Sequence, residues 1–428
     1  MKSLRPRSRF MTAFLFIAVI GLITESCSTN KLAISMDNGG IKLPEGFTAM
    51  VVADSLGRAR HITINNNGDI YIALNQLKHG KGIAAIKVDE GGKAAKIEYF
   101  GQYSGTGIGI HKGYLYFGSD TAIFRYKLKD GSLLPDTTPE VIVRGFHLEF
   151  QHSSKPFTFD DAGNIYVTVG APANACQQPD RQAHIKGVDP CPLLADFGGI
   201  WKFKDDVQGQ IKGKDGSRYA TGIRNAVALD WNFKTSTLYA VQHGRDQLHE
   251  FWPELYTEND GVNLPAEEFF LIKEGMDFGW PYCYYDQDKK KKILAPEYGG
   301  NADSAGRCKG KQDPIMAFPG HIAPNCVRFY TGTMFPEKYQ NGAFIAFHGS
   351  WNRAPQEQLG FFVAFVPFKD SNPSGPYEIF ADGFKGTDKV MSPDDALHRP
   401  MGLAIGPDGS LYITDSKQGK LWRVIYKK

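Results

Sequence analysis

Cysteine is scarce in this 428-residue chain, and the six present exclude more chemistry than they offer. No CxxC or CxxCH occurs, and His249-Glu250 has no second histidine four residues on, so the spacings of a zinc site or an attached haem are missing. An excess of one charge is missing too: 49 Lys and Arg stand against 46 Asp and Glu. Residues 1–26 hold Lys2, Arg5, Arg7 and Arg9 against Glu25, which cancels the formal net charge of +3 and leaves the remainder near neutral. Nothing in that balance suggests a nucleic-acid partner. The one basic tract, Lys289–Lys292 in DQDKKKKI, reads as a solvated loop tip. No long amphipathic helix pattern appears. GTGIGI at Gly105 has Ile110 where a dinucleotide loop needs its third glycine, which argues against NAD.

At the N-terminus four basic residues precede an apolar run from Phe10 to Ile23, too short for a comfortable membrane span and followed by small and polar residues. This is an export signal. The segment LITESCSTN places Cys27 after Ser26 and resembles the lipobox of bacterial lipoproteins, in which the cysteine becomes the lipid-modified first residue. Thr24 and Glu25 depart from that pattern, so simple cleavage is the alternative. The organisation expected is a signal over residues 1–26, a linker over 27–42 and one folded domain over 43–428. The mature protein would lie in the periplasm or at the cell surface, anchored to the outer membrane only through a lipid on Cys27. Cys176, Cys191, Cys283 and Cys308 fall in two loop-like regions rich in Gly, Pro and Asp, where local bridges 176–191 and 283–308 suit an oxidising compartment. Cys326 is left over and reads as a buried small hydrophobe.

Glycine and proline are plentiful, at 47 and 24, and are spread along the chain, which points to many turns between short strands. One phrase recurs: NNNGDIYIAL, HKGYLYFGS, DDAGNIYVTV and GPDGSLYITD, with weaker copies KTSTLYAVQ and QNGAFIAFH. Each joins turn residues to a short alternating apolar strand. Their landmarks are Tyr71, Tyr116, Tyr166, Tyr239, Phe344 and Tyr412, and the first two intervals are 45 and 50 residues. Blades of a β-propeller repeat at about that period, so the fold class expected is all-β, a six-bladed β-propeller.

A propeller decides no function by itself. Polar residues on the inner strands, just upstream of each phrase, would face the axis: His152, the pair Arg224-Asn225, and Arg399, with HGSWNR (His348–Arg353) after the fifth phrase. Guanidinium groups around an axis suit a planar polyanion and can polarise a carbonyl, while a neutral imidazole can take a proton. Trp231, Trp280 and Tyr282 read as packing residues.

HSSKPFTFDDAGNIYVTVG, YATGIRNAVALDWNFKTSTLYAVQHGRD, GMDFGWPYC, GSWNR and RPMGLAIGPDGSLYITD, in this order, resemble the quinoprotein sugar dehydrogenase family, the soluble glucose and L-sorbosone dehydrogenase group. The likeness runs from about Leu43 to Val424, and GSWNR and RNAVALDWN are closer to the sorbosone and pyranose branch. The resemblance implies pyrroloquinoline quinone (PQQ) and Ca²⁺ on the axis, and oxidation of an aldose, pyranose or sorbosone. It implies His152 as the base that removes a hydroxyl proton while hydride passes to the quinone. Arg224 would polarise the quinone carbonyl, Asn225 and Arg399 would hold the cofactor, and Gly244 and Arg245 would offer backbone carbonyls to calcium. Arg353, Trp351, Asn352 and Arg60 are further cofactor candidates. Val227 and Met401 replace a Gln and an Arg of the glucose branch, and Gln151 replaces an acidic neighbour of the base. Electrons would leave to a separate quinone or cytochrome. Two other readings stand beside this one: a calcium-dependent lactonase, which would need axial carboxylates that the inner strands lack, and a non-catalytic propeller that binds carbohydrate or protein.

Overall fold

In the computed structural model, Met1 and residues 37–427 are described. Apart from Met1, the expected export signal lies outside the described residues, as does Cys27. The rest is a six-bladed β-propeller. Blade 1 holds Ala59–Ile64, Ile70–Lys78, Lys81–Val88 and Ala94–Phe100; blade 2 holds Gly105–His111, Tyr114–Ser119, Ala122–Lys127 and Glu140–Arg144. Blade 3 holds Phe157–Phe159, Asn164–Val169, Gly199–Lys204 and Ser217–Thr221; blade 4 holds Ala228–Asn232, Thr237–Gln242, Glu267–Ile272 and Met316–Phe318. Blade 5 holds Pro324–Phe329, Gly342–Phe347, Phe362–Lys369 and Glu378–Ala381. Blade 6 holds Pro400–Ile405, Leu411–Asp415 and Leu421–Tyr426, and takes its outermost strand, Phe47–Ala53, from the beginning of the domain. The innermost strands touch one another in sequence, and the sixth touches the first.

The recurring phrase forms the turn and second strand of each blade, so its apolar positions are packed between blades. Six buried clusters fill the six gaps between neighbours, from Tyr71, Ile83, Leu115 and Phe117 between blades 1 and 2 to Ile62, Ile72, Tyr412 and Leu421 between blades 6 and 1. The landmark tyrosines also latch forward. Tyr71 donates to Leu133 O at 2.8 Å, Tyr116 to Asp205 O at 2.6 Å and Tyr239 to Ser371 O at 2.8 Å, in each case ahead in the chain. A buried phenol needs such a partner, which explains the repeated Tyr where Phe would fill the same space.

Ring closure rests on the antiparallel pairing of Phe47–Ala53 with Leu421–Tyr426, Phe47 facing Tyr426. Phe47 stands among Phe335, Tyr339, Phe380 and Tyr426, with ring centroids 4.8–5.3 Å away. Residues ahead of this strand pack on the same blade: Asn38 Oδ1 accepts from Ala49 N, and Gly39 O accepts from Trp422 Nε1. Long excursions leave the second strands of blades 3 and 4 and the third strand of blade 4. Disulfides join Cys176 to Cys191 and Cys283 to Cys308, and Cys326 is free and buried. Leu248, Tyr256, Leu264, Tyr284 and Ile293 give the blade 4 excursions a small core of their own. Among the described residues no helix is long and apolar enough to cross a membrane.

Truncating Phe47 to Ala removes the aromatic anchor of the closing strand. It is expected to cost about 3–5 kcal/mol in denaturant unfolding, with a lower midpoint and no change of slope.

Candidate active site

The innermost strands all begin at one mouth of the channel, and there the second strands end. The sequence loads that mouth with polar side chains: Arg60 and Thr106 at the second position of their strands, His152 and Arg224-Asn225 in the segments leading into theirs, and His243, His348 and Ser416 just past the ends of second strands. A cavity of about 630 Å³ opens at the other mouth, among Ile62, Ile64, Ile108, Phe157, Phe159 and Ile405. Its one histidine, His111, is committed to Asp205 at 2.7 Å, so chemistry belongs to the polar mouth.

His152 has a left-handed backbone, φ 56°, rare for a residue with a β-carbon and found where surroundings impose it. Gly170 makes this possible: a β-carbon there would meet His152 Cβ at 2.6 Å and Asn225 Oδ1 at 2.9 Å. The Nδ1–H of His152 donates to Ala171 O at 2.5 Å, which leaves Nε2 with a bare lone pair. Burial, then the nearby Arg224 cation, push its pKa down to about 3, so the ring is neutral at physiological pH. Burial and Arg224 likewise bring His243 down to about 4, and His348 lies well below its ordinary value through burial, Arg399 and Arg60.

Arg224 is 2% exposed. Its Nη1 donates to Gly244 O at 2.6 Å and its Nη2 to Asp246 Oδ2 at 2.7 Å, while its buried Nε–H has no partner. Asp246 gathers Arg224, Arg181 at 2.8 Å and Asn352 Nδ2. Burial alone would raise that carboxyl, but Arg224, His321 and Arg181 outweigh it and hold the pKa well below the usual carboxylate range. Asn225 Nδ2 lies 3.4 Å from His243 Nδ1. Across the mouth Arg399 donates Nε to His348 O at 3.1 Å and Nη2 to Gly349 O. Arg60 reaches Thr106 Oγ1 at 3.1 Å and Ser154 Oγ at 3.4 Å. Burial lowers both arginines to about 10, and for Arg60 the charge of Arg399 adds to the shift.

His152, Arg224, Asn225, Arg399, Arg60 and Asn352 therefore come together, and Trp351 stands half exposed on the same loop as Asn352. Arg353 does not join them, which corrects its expected cofactor role. Its guanidinium donates to Val262 O, Gly320 O, Glu357 O and Asn263 Oδ1 at 2.9–3.2 Å and stitches loops together. The side chain of Arg245 is likewise spent, on Glu297 at 2.5 Å. Sequence reading passed over Asp246, although it ends the quoted QHGRD, and over His243 in the same motif; what distinguishes them is burial against Arg224, which no spacing reveals.

One buried and two half-buried guanidinium groups, all with the pKa lowered by desolvation and one with an orphaned N–H, form a site short of negative charge. That fits a tricarboxylate quinone such as PQQ. Calcium fits less well. The Gly244 carbonyl, an expected ligand, faces a guanidinium nitrogen, and among the described residues no group of three or more His, Cys, Asp or Glu could hold a metal.

A family model described as TrAA12-like matches residues 41–428. The chain belongs to that family. An uncharacterized protein of Borreliella burgdorferi is 26% identical over 71% of this chain and 66% of its own length. A pyrroloquinoline quinone-dependent pyranose dehydrogenase of Coprinopsis cinerea is 20% identical over 89% of this chain, which spans 54% of that protein. The chain thus spans about half to two thirds of the length of these relatives. Among solved structures, the holo PQQ domain of the Coprinopsis cinerea pyranose dehydrogenase superposes with TM-score 0.72 at 18% identity, covering 92% of this chain and 98% of its own. The calcium structure of Trichoderma reesei Carbohydrate-Active Enzymes Family AA12 gives 0.73 at 16%, covering 93% and 98%. The soluble aldose sugar dehydrogenase of Escherichia coli gives 0.57 at 17%, covering 89% and 100%. At these identities the structural likeness concerns the fold.

Arg353→Ala is expected to lose about 2–4 kcal/mol of stability in urea unfolding, because it strands four acceptors. Arg399→Ala, which strands only the carbonyls of His348 and Gly349, should lose less in the same measurement.

Proposed function

We propose that this protein is a PQQ-dependent sugar dehydrogenase that oxidises an aldose, a pyranose or a sugar aldehyde of the sorbosone kind. The observation that carries the reading is one pair: a neutral His152 with a free Nε2 lone pair, electrostatically coupled to Arg224 with an unpartnered buried Nε–H. Family membership and the PQQ-dependent relative support it. When bound, PQQ supplies the two-electron acceptor, an ortho-quinone that takes hydride from the substrate carbon.

The chain supplies the rest. His152 Nε2 accepts the hydroxyl proton of the sugar, or of the hydrated form of a sugar aldehyde, and Ala171 O holds the ring in the tautomer that leaves this nitrogen free. Arg224 Nε–H points a fixed positive dipole at an oxygen gaining charge, with no reorganisation because Gly244 O and Asp246 already fix the other two nitrogens. Arg399 and Arg60 hold carboxylates across the mouth. An anion beside Arg224 also relieves the cation that depresses His152, so cofactor binding makes the base stronger. Calcium at the Gly244 and Arg245 carbonyls would first require Arg224 to release Gly244 O, and no step above depends on it. Electrons then pass to a separate quinone or cytochrome. Export, with a lipid on Cys27 anchoring the domain to the outer membrane, completes the reading. A lactonase is disfavoured by the same geometry: Asp246, the carboxylate whose charge acts on His152, is consumed by two arginines and Asn352.

The test is titration with PQQ, with and without Ca²⁺, followed by dye reduction with aldoses, pyranoses and sorbosone. Tight PQQ binding with sugar-dependent reduction is expected. His152→Ala should lower kcat about 10²- to 10⁴-fold while leaving PQQ affinity within threefold. Arg224→Ala should weaken PQQ binding by about 2 kcal/mol or more, ~30-fold. No PQQ binding by the intact protein would sink the proposal.

A further inference from the structure

Glu267, the first residue of the third strand of blade 4, is 2% exposed. Its neighbour Glu268, on the opposite face of the strand, is compensated by Lys292 and by Gln242 Nε2 at 2.7 Å. Glu267 has a different environment. Oε2 accepts from Gly244 N at 2.8 Å, and Oε1 accepts from Ile322 N at 3.2 Å and Ala323 N at 3.3 Å. A buried carboxylate whose contacts are three peptide N–H groups, with no ion pair among the described residues, is costly to keep and invites a reason.

The carbonyls of the same residues supply one. Gly244 O receives Nη1 of Arg224 at 2.6 Å. Ala323 O receives His348 N at 2.8 Å, and Ile322 O receives Gly349 N at 3.0 Å. The carbonyls of His348 and Gly349 then receive the guanidinium of Arg399. One carboxylate thus lies one residue, Gly244, away from Arg224, and two hydrogen-bonded peptides, Ile322–Ala323 and His348–Gly349, away from Arg399. We propose that Glu267 is the positioning residue that sets both arginines, and with them the spacing of the site toward an anionic cofactor. The inference rests on the function proposed above.

The experiment compares the full chain with Glu267→Gln and Glu267→Asp by hydrogen exchange, PQQ titration and thermal unfolding, all at pH 7.5. Glu267→Gln, whose amide nitrogen cannot accept a hydrogen bond, should exchange at least tenfold faster over residues 243–246 and 321–324. It should bind PQQ at least tenfold more weakly, a loss larger than its change in stability accounts for. Glu267→Asp, with the carboxylate on a shorter stem, should bind with an affinity between those of the parent and the Gln variant, and it carries the test if the Gln variant does not fold. Unchanged affinity in both variants would overturn the proposal, as would a loss of binding only in proportion to lost stability. If the parent binds no PQQ, the function proposed above falls, while the exchange measurement needs no ligand and still judges Glu267.

Discussion

The pairing of Phe47–Ala53 with Leu421–Tyr426 is the constraint on which the rest depends. A propeller blade is apolar on both faces, so each sheet is stable only between two others. Six sheets in a row would leave two apolar faces in water, and the ring removes both by taking its last strand from the start of the domain. Closure also fixes where the six innermost strands begin, and therefore which residues share the mouth of the channel. Arg60 and Arg399 lie 339 positions apart in the sequence (399 − 60), and Arg399 lowers the pKa of Arg60 only because the sixth blade meets the first.

Within that ring the polar mouth is an electrostatic arrangement held by its own backbone. Buried arginines are expensive, and here the acceptors are peptide carbonyls and one carboxylate: Gly244 O and Asp246 for Arg224, His348 O and Gly349 O for Arg399. The histidines beside them stay neutral because burial and the neighbouring cations both disfavour protonation. The result is a cationic surround with a neutral imidazole in it, ready for an anion and able to take a proton. Stability and chemistry pull in opposite directions at such a site, as they do wherever charge is kept dry for use.

The fold was legible because its signal repeats. Tyr71, Tyr116, Tyr166, Tyr239, Phe344 and Tyr412 each mark a second strand, and six weak local signals at a blade-like period make a strong one. His152, Arg224-Asn225 and Arg399 were legible for a related reason: they stand at fixed places relative to those strands. Arg353 was misjudged because GSWNR lies in a loop whose path no strand register sets, and the guanidinium turns to Val262, Gly320, Glu357 and Asn263 instead. Glu267 was invisible, since one of two consecutive glutamates at the start of an apolar strand carries no sign of what it touches.

The sequence by itself determined the six-fold β architecture, the two local disulfide loops and the residue types brought to the axis, because periodicity, turn chemistry and short-range spacing are local properties. Only the tertiary structure decided that Arg224 leans on Asp246, that Asn352 reaches the same carboxylate from 106 residues away, and that Glu267 stands behind two arginines at once. Those relations are set by burial and by hydrogen bonds across blades, and they exist only once the ring has closed.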